Sequence, residues 1–321
     1  MPAGKQQLGE RPHALRVACR IASPLILLSS ICWFGQNLRA ASVALTPIAD
    51  TFISESWTNK NFGAMAFFNA GTTQEFTTNR GLVRFDIAGA IPAGATILST
   101  ALTMEVVGQP DEPWNSADFG LHRLLRDWGE GDNNASVPRR ADSAGTNEAN
   151  WFYRFAFTSK TWGTPGGAPG VDYVSNRSAG EYVYEAGWPY SFGPAPGLAA
   201  DVQLWLDHPE TNFGWMLIVR NETTDFTARR FGSREDSQNA PRLQVDYLVA
   251  PMIDRVEKNG PQFNFRFTAQ PGQSYTIEYR DALGAGGWQT SVDAGSFTQP
   301  MRVLFVDTLL APRRFYRVVT Y

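Results

Sequence analysis

Cysteine is nearly absent from this 321-residue sequence, and its two cysteines, Cys19 and Cys32, both lie near the N-terminus. If that N-terminal part is removed, the remaining chain has no cysteine, which excludes disulfides and cysteine-ligated metals. Stability must then come from the packing of a hydrophobic core. The length suffices for one large domain or two smaller ones, each with its own core.

Charged residues are also scarce, at 18%, and the sequence lacks long runs of Ala, Leu, Glu and Lys. Aromatic residues are plentiful instead, with ten Trp, ten Tyr and 21 Phe, as are Gly (29) and Pro (20). Gly and Pro favour turns, and aromatic side chains are enriched in strands. The composition therefore predicts a β protein rather than a helical bundle.

The first 44 residues have the arrangement of a secretory signal. Basic residues between Lys5 and Arg20 precede an apolar run, IASPLILLSSICWF (21–34), and small residues follow in LRAASVA (38–44). Fourteen apolar residues are too few for a comfortable membrane span, so we expect cleavage after about Ala40 or Ala44. An uncleaved N-terminal anchor is the alternative. We predict an extracellular protein, secreted or held at the cell surface, that does not contact a membrane after cleavage.

Removal of residues 1–44 would leave an acidic chain. That segment holds five Lys or Arg and one Glu, so 23 basic and 30 acidic residues would remain, a net charge of −7. A nucleic-acid-binding protein is expected to show the opposite balance or a basic stripe. We therefore expect no nucleic-acid partner.

From Ala49 onward the sequence has the pattern of short strands separated by turns. GLVRFDI (81–87) alternates cleanly, while ILSTALTMEVV (97–107) breaks the alternation, which indicates either burial on both faces or a β-bulge. One helix is predicted in GLAADVQLWLDHPE (197–210), where apolar residues recur at helical spacing before Pro209.

Residues 129–200 are rich in Gly, Pro, Asn and Ser. A structureless loop of this length is improbable in a compact domain, so the aromatic runs WFYRFAF (151–157) and EYVYEAGW (181–188) are predicted to form short strands. Beyond Ala250 a second β pattern begins, with at least four strand-like segments in residues 252–321. We expect domains at 45–250 and 251–321, the second a small immunoglobulin-like or fibronectin-like β-sandwich.

The motifs of the first domain resemble those of DNRLRE domain-containing proteins. The similarity covers about 49–247 and includes ADTFISESWTNKNFGAMAFFNAG (49–71), NRGLVRFDI (79–87), LHRLLRDWGEG (121–131) and RRFGSRED (229–236). The resemblance implies a secreted jelly-roll β-sandwich, related to a carbohydrate-binding module family with alginate-binding members. It also implies a polysaccharide partner, with uronate-containing polymers among the ligands, and contacts from the basic residues Lys60, Arg80 and Arg84. The expected fold is thus all-β: a jelly-roll sandwich followed by a small immunoglobulin-like sandwich.

Aromatic residues in polar, loop-like stretches are further candidates for glycan binding. Sugar rings stack their C–H faces on Trp and Tyr while their hydroxyls keep their hydrogen bonds. For each aromatic residue, local packing is the alternative. The full set of candidates is Trp57, Lys60, Arg80, Arg84, Trp114, Trp162, Trp188 and Tyr190.

The turn DWGEGDNN (127–134) concentrates side-chain oxygens from Asp127, Glu130, Asp132 and Asn133. Such a turn suits Ca²⁺, which takes six to eight oxygen ligands, although its spacing does not match an EF-hand. A structural calcium ion and a plain solvated turn are its two interpretations, and no other cofactor is expected.

The segment RRFGSREDSQNAPRLQVDY (229–247) concentrates arginines and carboxylates. Catalysis, anion binding and a structural ion-pair network are the possible roles, and we favour the network because charges within a sandwich are normally paired. Arg84 is expected to pair with Glu235 or Asp246. Known catalytic motifs are missing from the sequence, and His122 and His208 are expected to be structural.

The sequence thus predicts a secreted, non-catalytic polysaccharide-binding protein. One alternative is an extracellular structural or adhesive surface protein without a glycan site, and another is a polysaccharide lyase or hydrolase. A groove lined by exposed Trp or Tyr would favour binding, and a flat surface with every Trp buried would favour the structural protein. A cleft with converging carboxylates, or with Tyr, His and Arg together, would favour an enzyme.

Overall fold

The computed structural model describes residues 41–249, 251–282, 287–309 and 313–320. The chain divides into two compact units, the larger within Ala40–Ala250 and the smaller containing Pro251–Tyr321. Within its described residues the larger unit has eleven strands, one α-helix and two short 3₁₀ helices, Pro138–Arg140 and Pro209–Thr211. The strands and helix are β1 (Ala41–Leu45), β2 (Ala49–Ser54), β3 (Phe67–Thr72), β4 (Thr78–Arg84), β5 (Thr96–Gly108), β6 (Ala117–Arg123), β7 (Ala179–Val183), β8 (Trp188–Phe192), α1 (Pro196–Asp207), β9 (Trp215–Val219), β10 (Arg229–Gly232) and β11 (Arg242–Leu248).

The eleven strands form one curled antiparallel sheet in the order β1-β11-β5-β10-β3-β4-β9-β6-β7, with β2 added to β4 and β8 added to β5. Strand β3 changes its pairing partner along its length, from β10 at residues 67–70 to β4 from Gly71 onward. Gly71 has φ +104°, and a Cβ there would lie 2.6 Å from the carbonyl oxygen of Thr227. Only glycine fits this corner, because a side chain would be strained and would clash.

The predicted signal segment lies mostly outside the described residues. Its last residues are an exception, since β1 pairs antiparallel with β11 over its whole length. Cleavage after Ala40 would therefore leave β1 intact, whereas cleavage after Ala44 would remove most of it.

The inner face of the curled sheet encloses the main hydrophobic core. Because side chains alternate along a strand, Val83 of β4 and Phe119 and Leu121 of β6 point into this core. For Val83 this confirms the inward face predicted from the alternation of GLVRFDI. Strand β5 is confirmed with a bulge at its start, because β11 pairs Asp246 with Ser99 and Tyr247 with Ile97, skipping Leu98.

The predicted helix is also confirmed, as α1. Trp205 of α1 packs edge-on against Trp215 of β9, with ring centroids 4.5 Å apart. The indole nitrogen of Trp215 donates to Asp201 of α1 at 2.8 Å, which ties helix and strand together. Within the described part of the chain, no helix is long and apolar enough to cross a lipid bilayer.

A second apolar layer covers the outer face of the sheet. Residues 124–178 fold over it, and Trp128, Trp151 and Trp162 pack there against Leu82 and Met216. The prediction of a strand in WFYRFAF is wrong, because residues 151–157 form bends and turns with one isolated bridge, at Tyr153. A long loop is tolerated in this position because its own tryptophans give it a core.

Within its described residues the smaller unit has six strands: β12 (Ile253–Asn259), β13 (Gln262–Ala269), β14 (Ser274–Arg280), β15 (Gln289–Ser296), β16 (Met301–Thr308) and β17 (Phe315–Thr320). They form two three-stranded antiparallel sheets, in the orders β12-β13-β16 and β15-β14-β17. A core that includes Phe265, Phe267, Tyr275 and Ile277 draws on strands of both sheets. The prediction of an all-β sandwich fold is confirmed.

Candidate functional site

A groove of about 580 Å³ opens on the outer face of the larger unit, where β6 and β9 run beside residues 169–177. We call it the β6–β9 groove. Because Phe119 and Leu121 of β6 point into the core, Gly120 and His122 face outward into the groove. Polar side chains line most of it, among them His122, Tyr173, Asn176, Arg177, Arg220 and Glu222.

Two facing glycines make room for Arg177. Gly120 of β6 pairs with Gly180 of β7, and a Cβ at Gly180 would lie 2.4 Å from Nη1 of Arg177. The guanidinium donates to Asp118 Oδ1 at 2.6 Å. The missing side chains therefore let the arginine lie across the sheet beside the groove.

The groove carries an excess of positive charge. Asp118 pairs with Arg177 at 2.6 Å and with Arg220 at 3.4 Å, so that one carboxylate faces two guanidiniums. Arg80 is neutralised separately by Glu222, through two hydrogen bonds of 2.7 Å. The side chain of Arg220 is 77% exposed and so keeps most of its donors available for a ligand.

His122 presents a hydrogen-bond acceptor to this groove. Its Nδ1 lies 3.0 Å from the carbonyl oxygen of Val174, which can only accept, so Nδ1 carries the proton and Nε2 a lone pair. Burial lowers the pKa of His122, and the nearby charges of Arg177 and Arg80 lower it further. The imidazole is accordingly neutral near pH 7, and it packs edge-on against Tyr173 at 5.4 Å.

The predicted basic candidates are all engaged within the fold. Arg80 lies behind the groove, with its guanidinium 5.8 Å from the Tyr173 ring. Lys60 donates to the carbonyls of Arg139 and Ala141, and so ties two loops together. The prediction that Arg84 pairs with Glu235 or Asp246 is wrong, because Arg84 forms an ion pair with Asp127 at 2.8 Å.

Of the predicted tryptophans, only Trp188 is strongly exposed, at 60%, among the residues that the structure describes. Trp57 is partly buried against Phe62 and lines a smaller pocket of about 190 Å³. Trp114 lies over the guanidinium of Arg229, 5.2 Å from its centre.

Trp162 and Tyr190 are buried, so the prediction that they lie exposed in loops is wrong. The indole nitrogen of Trp162 donates to the carbonyl of Asn150, inside the second apolar layer. The Tyr190 hydroxyl donates to the carbonyl of Glu185 at 2.9 Å. Both rings have the polar partner that a buried Trp or Tyr normally finds.

The acidic turn at 127–134 engages two of its carboxylates, Asp127 and Glu130, in ion pairs. Asp127 accepts from Arg84, and Glu130 accepts from Arg234 and from the backbone of Asp50. Within the described ranges, no group of three or more His, Cys, Asp or Glu side chains is placed to hold a metal ion. Calcium binding at Asp127, Glu130, Asp132 and Asn133 stays a prediction.

The arginine-rich segment at 229–247 forms a structural network around Arg234, as predicted. Arg234 pairs with Glu130 at 2.7 Å and Glu235 at 3.1 Å, and its backbone N–H donates to Asp50. Arg229 behaves differently: it is 1% exposed and its hydrogen bonds run to backbone carbonyls, including two to Tyr184. Burial lowers its pKa to about 10.

The groove residues His122, Tyr173, Arg177 and Arg220 were not among the predicted site residues. Alternation in FGLHR places His122 on the outer face, which is the only signal for it in the sequence. Tyr173 and Arg177 follow no periodic pattern, and only the folding of residues 124–178 over the sheet brings them to the groove.

The fold and groove define an all-β sandwich protein with a polar surface site. No family model and no curated protein matches the sequence. Among solved structures, a β-1,2-glucanase from Parabacteroides distasonis aligns with 10% identity and a TM-score of 0.15. The alignment covers 89% of this chain and 36% of the glucanase, so the chain spans about a third of that protein. At this TM-score the similarity supports no inference about fold or function.

Proposed function

We propose that the protein is secreted, is non-catalytic and binds a polysaccharide in the β6–β9 groove. The observation that carries the proposal is the combination of donors and acceptors along one open groove. Arg220 and Asn176 offer N–H donors, and the Nε2 of His122 offers an acceptor. A polyhydroxylated chain needs both kinds of partner at successive positions.

The charge of the groove indicates which polysaccharides fit it. Asp118 cannot neutralise both Arg177 and Arg220, so an acidic sugar would add the missing negative charge. A planar carboxylate matches the fork of an arginine and can accept two parallel hydrogen bonds. Uronate-containing polymers are therefore the ligands that this groove favours.

A glycan-array screen of the full-length protein tests the proposal. The array should carry neutral, uronate and sulfated polysaccharides, and it should be run with and without calcium. We expect binding to uronate polymers in both conditions, and loss of binding without calcium would instead assign a role to the acidic turn. Binding to no glycan would contradict the proposal and favour the structural or adhesive protein.

A second candidate function is polysaccharide lyase activity, because the groove brings His122, Tyr173 and Arg177 together. An arginine that neutralises a uronate carboxylate makes the proton on the adjacent ring carbon easier to remove. In such an elimination the neutral Nε2 would take this proton, a carbon–carbon double bond would form, and the glycosidic oxygen would leave with a proton from an acid. Unsaturated sugar ends released by the protein, but not by His122→Gln, would support this activity, whereas binding without product supports the first proposal.

A further inference from the structure

A third cavity, of about 290 Å³, lies at the surface of the larger unit among the loops at residues 59, 143–144 and 150–158. We call it the Phe157 pocket. Its walls are three aromatic rings and a set of small polar side chains, and it shares no lining residue with the β6–β9 groove. The principal lining residues are Asn59, Ser143, Asn150, Phe152, Tyr153 and Phe157.

Phe157 combines two unfavourable features. Its backbone is in the left-handed region, at φ +58°, where a residue other than glycine is strained. Its ring is also 78% exposed to solvent, and the ring of Phe152 beside it is exposed as well. Neither feature stabilises the fold. What favours contact with something outside the chain is that Phe157 lines a pocket together with a second exposed phenyl ring.

The lining of the pocket indicates the chemistry of its ligand. It contains no charged side chain, in contrast to the β6–β9 groove with its arginines. Asn59 Nδ2 lies 3.3 Å from Ser143 Oγ, a long hydrogen bond that leaves both groups with further capacity. Phenyl faces beside amide and hydroxyl groups suit an uncharged sugar ring, whose C–H face stacks while its hydroxyls form hydrogen bonds.

We propose that the Phe157 pocket is a second sugar subsite, and that it takes an uncharged sugar ring against the faces of Phe152 and Phe157. The inference rests on the proposed function in that both sites would serve a polysaccharide. It adds a second location and a different ligand class. A polysaccharide that contains both acidic and neutral sugars would then offer an acidic sugar to the β6–β9 groove and a neutral sugar to the Phe157 pocket.

The substitution Phe157→Gly gives a sharp test, because it removes the ring and relieves the backbone strain together. We expect the melting temperature to stay the same or rise, while affinity for neutral gluco-, manno- or xylo-hexasaccharides falls about tenfold or more. Phe76 is a matched control, since it has φ +59° and is 64% exposed but does not line the pocket. Phe76→Gly should give the same stability effect with unchanged affinity.

Several outcomes would overturn the inference. Wild-type protein that binds none of these neutral hexasaccharides, or Phe157→Gly that binds them as well as wild type, would contradict it. Phe157-dependent binding to vesicles of uncharged phospholipid, without sugar binding, would assign the aromatic surface to a membrane instead. Retained binding to uronate polymers in these cases would leave the proposed function intact, whereas binding to no glycan at all would refute both.

Discussion

The Nδ1 atom of His122 lies 3.0 Å from the carbonyl oxygen of Val174, and this contact decides which nitrogen faces the β6–β9 groove. Because Nδ1 carries the proton and donates it to this carbonyl, Nε2 is a hydrogen-bond acceptor as long as the ring is neutral. The ring stays neutral because burial and the charges of Arg177 and Arg80 lower its pKa. His122 therefore reports on the charge within the groove.

An anionic ligand in the groove should raise the pKa of His122. Its negative charge would offset the two arginines that now disfavour the imidazolium ion. An NMR titration of the histidine rings, with and without an oligouronate, measures the change. A neutral oligosaccharide should leave this pKa unchanged. An unchanged His122 pKa under saturating oligouronate would place the ligand elsewhere.

Gly180→Ala should weaken ligand binding with little effect on folding. The new Cβ would lie 2.4 Å from the end of the Arg177 side chain, which can swing away at the cost of a partly exposed ion pair. We expect a loss of stability below about 1 kcal/mol and roughly tenfold weaker oligouronate binding, equivalent to about 1.4 kcal/mol. Gly287→Ala, where a Cβ would meet nothing within 4 Å, is the control. Unchanged affinity in Gly180→Ala would show that Arg177 does not bind the ligand.

Arg229→Met should destabilise the larger unit strongly. It removes a buried cation that joins the backbone carbonyls of Tyr184, Asn115 and Ala228, and leaves them unpaired. Each buried group left without a partner costs about 1–3 kcal/mol, so three such carbonyls predict a total loss of at least roughly 3 kcal/mol in urea denaturation. Arg230→Met, at the neighbouring exposed position, should cost less than about 0.5 kcal/mol. Equal effects of the two substitutions would contradict the structural role of Arg229.

Asp50 should make the fold less stable as pH rises. Burial raises the pKa of this carboxyl well above its usual value, with Glu235 and Glu130 adding to the effect. An acid whose pKa is raised by folding contributes stability below its unfolded pKa of about 3.9, and that contribution is lost as pH rises through the folded pKa. The stability of Asp50→Asn relative to wild type should therefore increase from pH 4 to pH 8, measured by urea denaturation.

The control for Asp50→Asn is the same change at Asp111, which should alter stability little because its side chain is exposed. A relative stability of Asp50→Asn that stays constant or falls from pH 4 to pH 8 would contradict the raised pKa.

Much of the fold could be predicted from the sequence because its strands and helix follow local periodicity. GLVRFDI alternates with one face in the core, and GLAADVQLWLDHPE has the helical spacing that becomes α1. The β-bulge in β5 was one of two interpretations, and pairing with β11 decides for it at Leu98. The alternation and the helical spacing depend only on neighbours along the chain, whereas the bulge depends on pairing with a distant strand.

The site could not be predicted in the same way, because it depends on contacts between distant parts of the chain. The candidate Trp162 lies in a Gly- and Pro-rich segment that resembles an exposed loop, yet the ring is buried against the outer face of the sheet. Arg84 pairs with Asp127, 43 positions away, rather than with Glu235 or Asp246. Arg177 reaches the groove only because Gly120 and Gly180 face each other on adjacent strands.

The central claim is that the β6–β9 groove binds an acidic polysaccharide, and calorimetric titration of Arg220→Gln with an oligouronate tests it most directly. Arg220 is well exposed and Asp118 keeps Arg177, so the fold should be unaffected. A charged hydrogen bond contributes about 1.5–3 kcal/mol, so affinity should fall roughly 10- to 100-fold. Arg242→Gln, which removes the same charge from the exposed face of β11, should bind like wild type. Equal affinities of wild type and Arg220→Gln, or equal losses in the two variants, would contradict the claim.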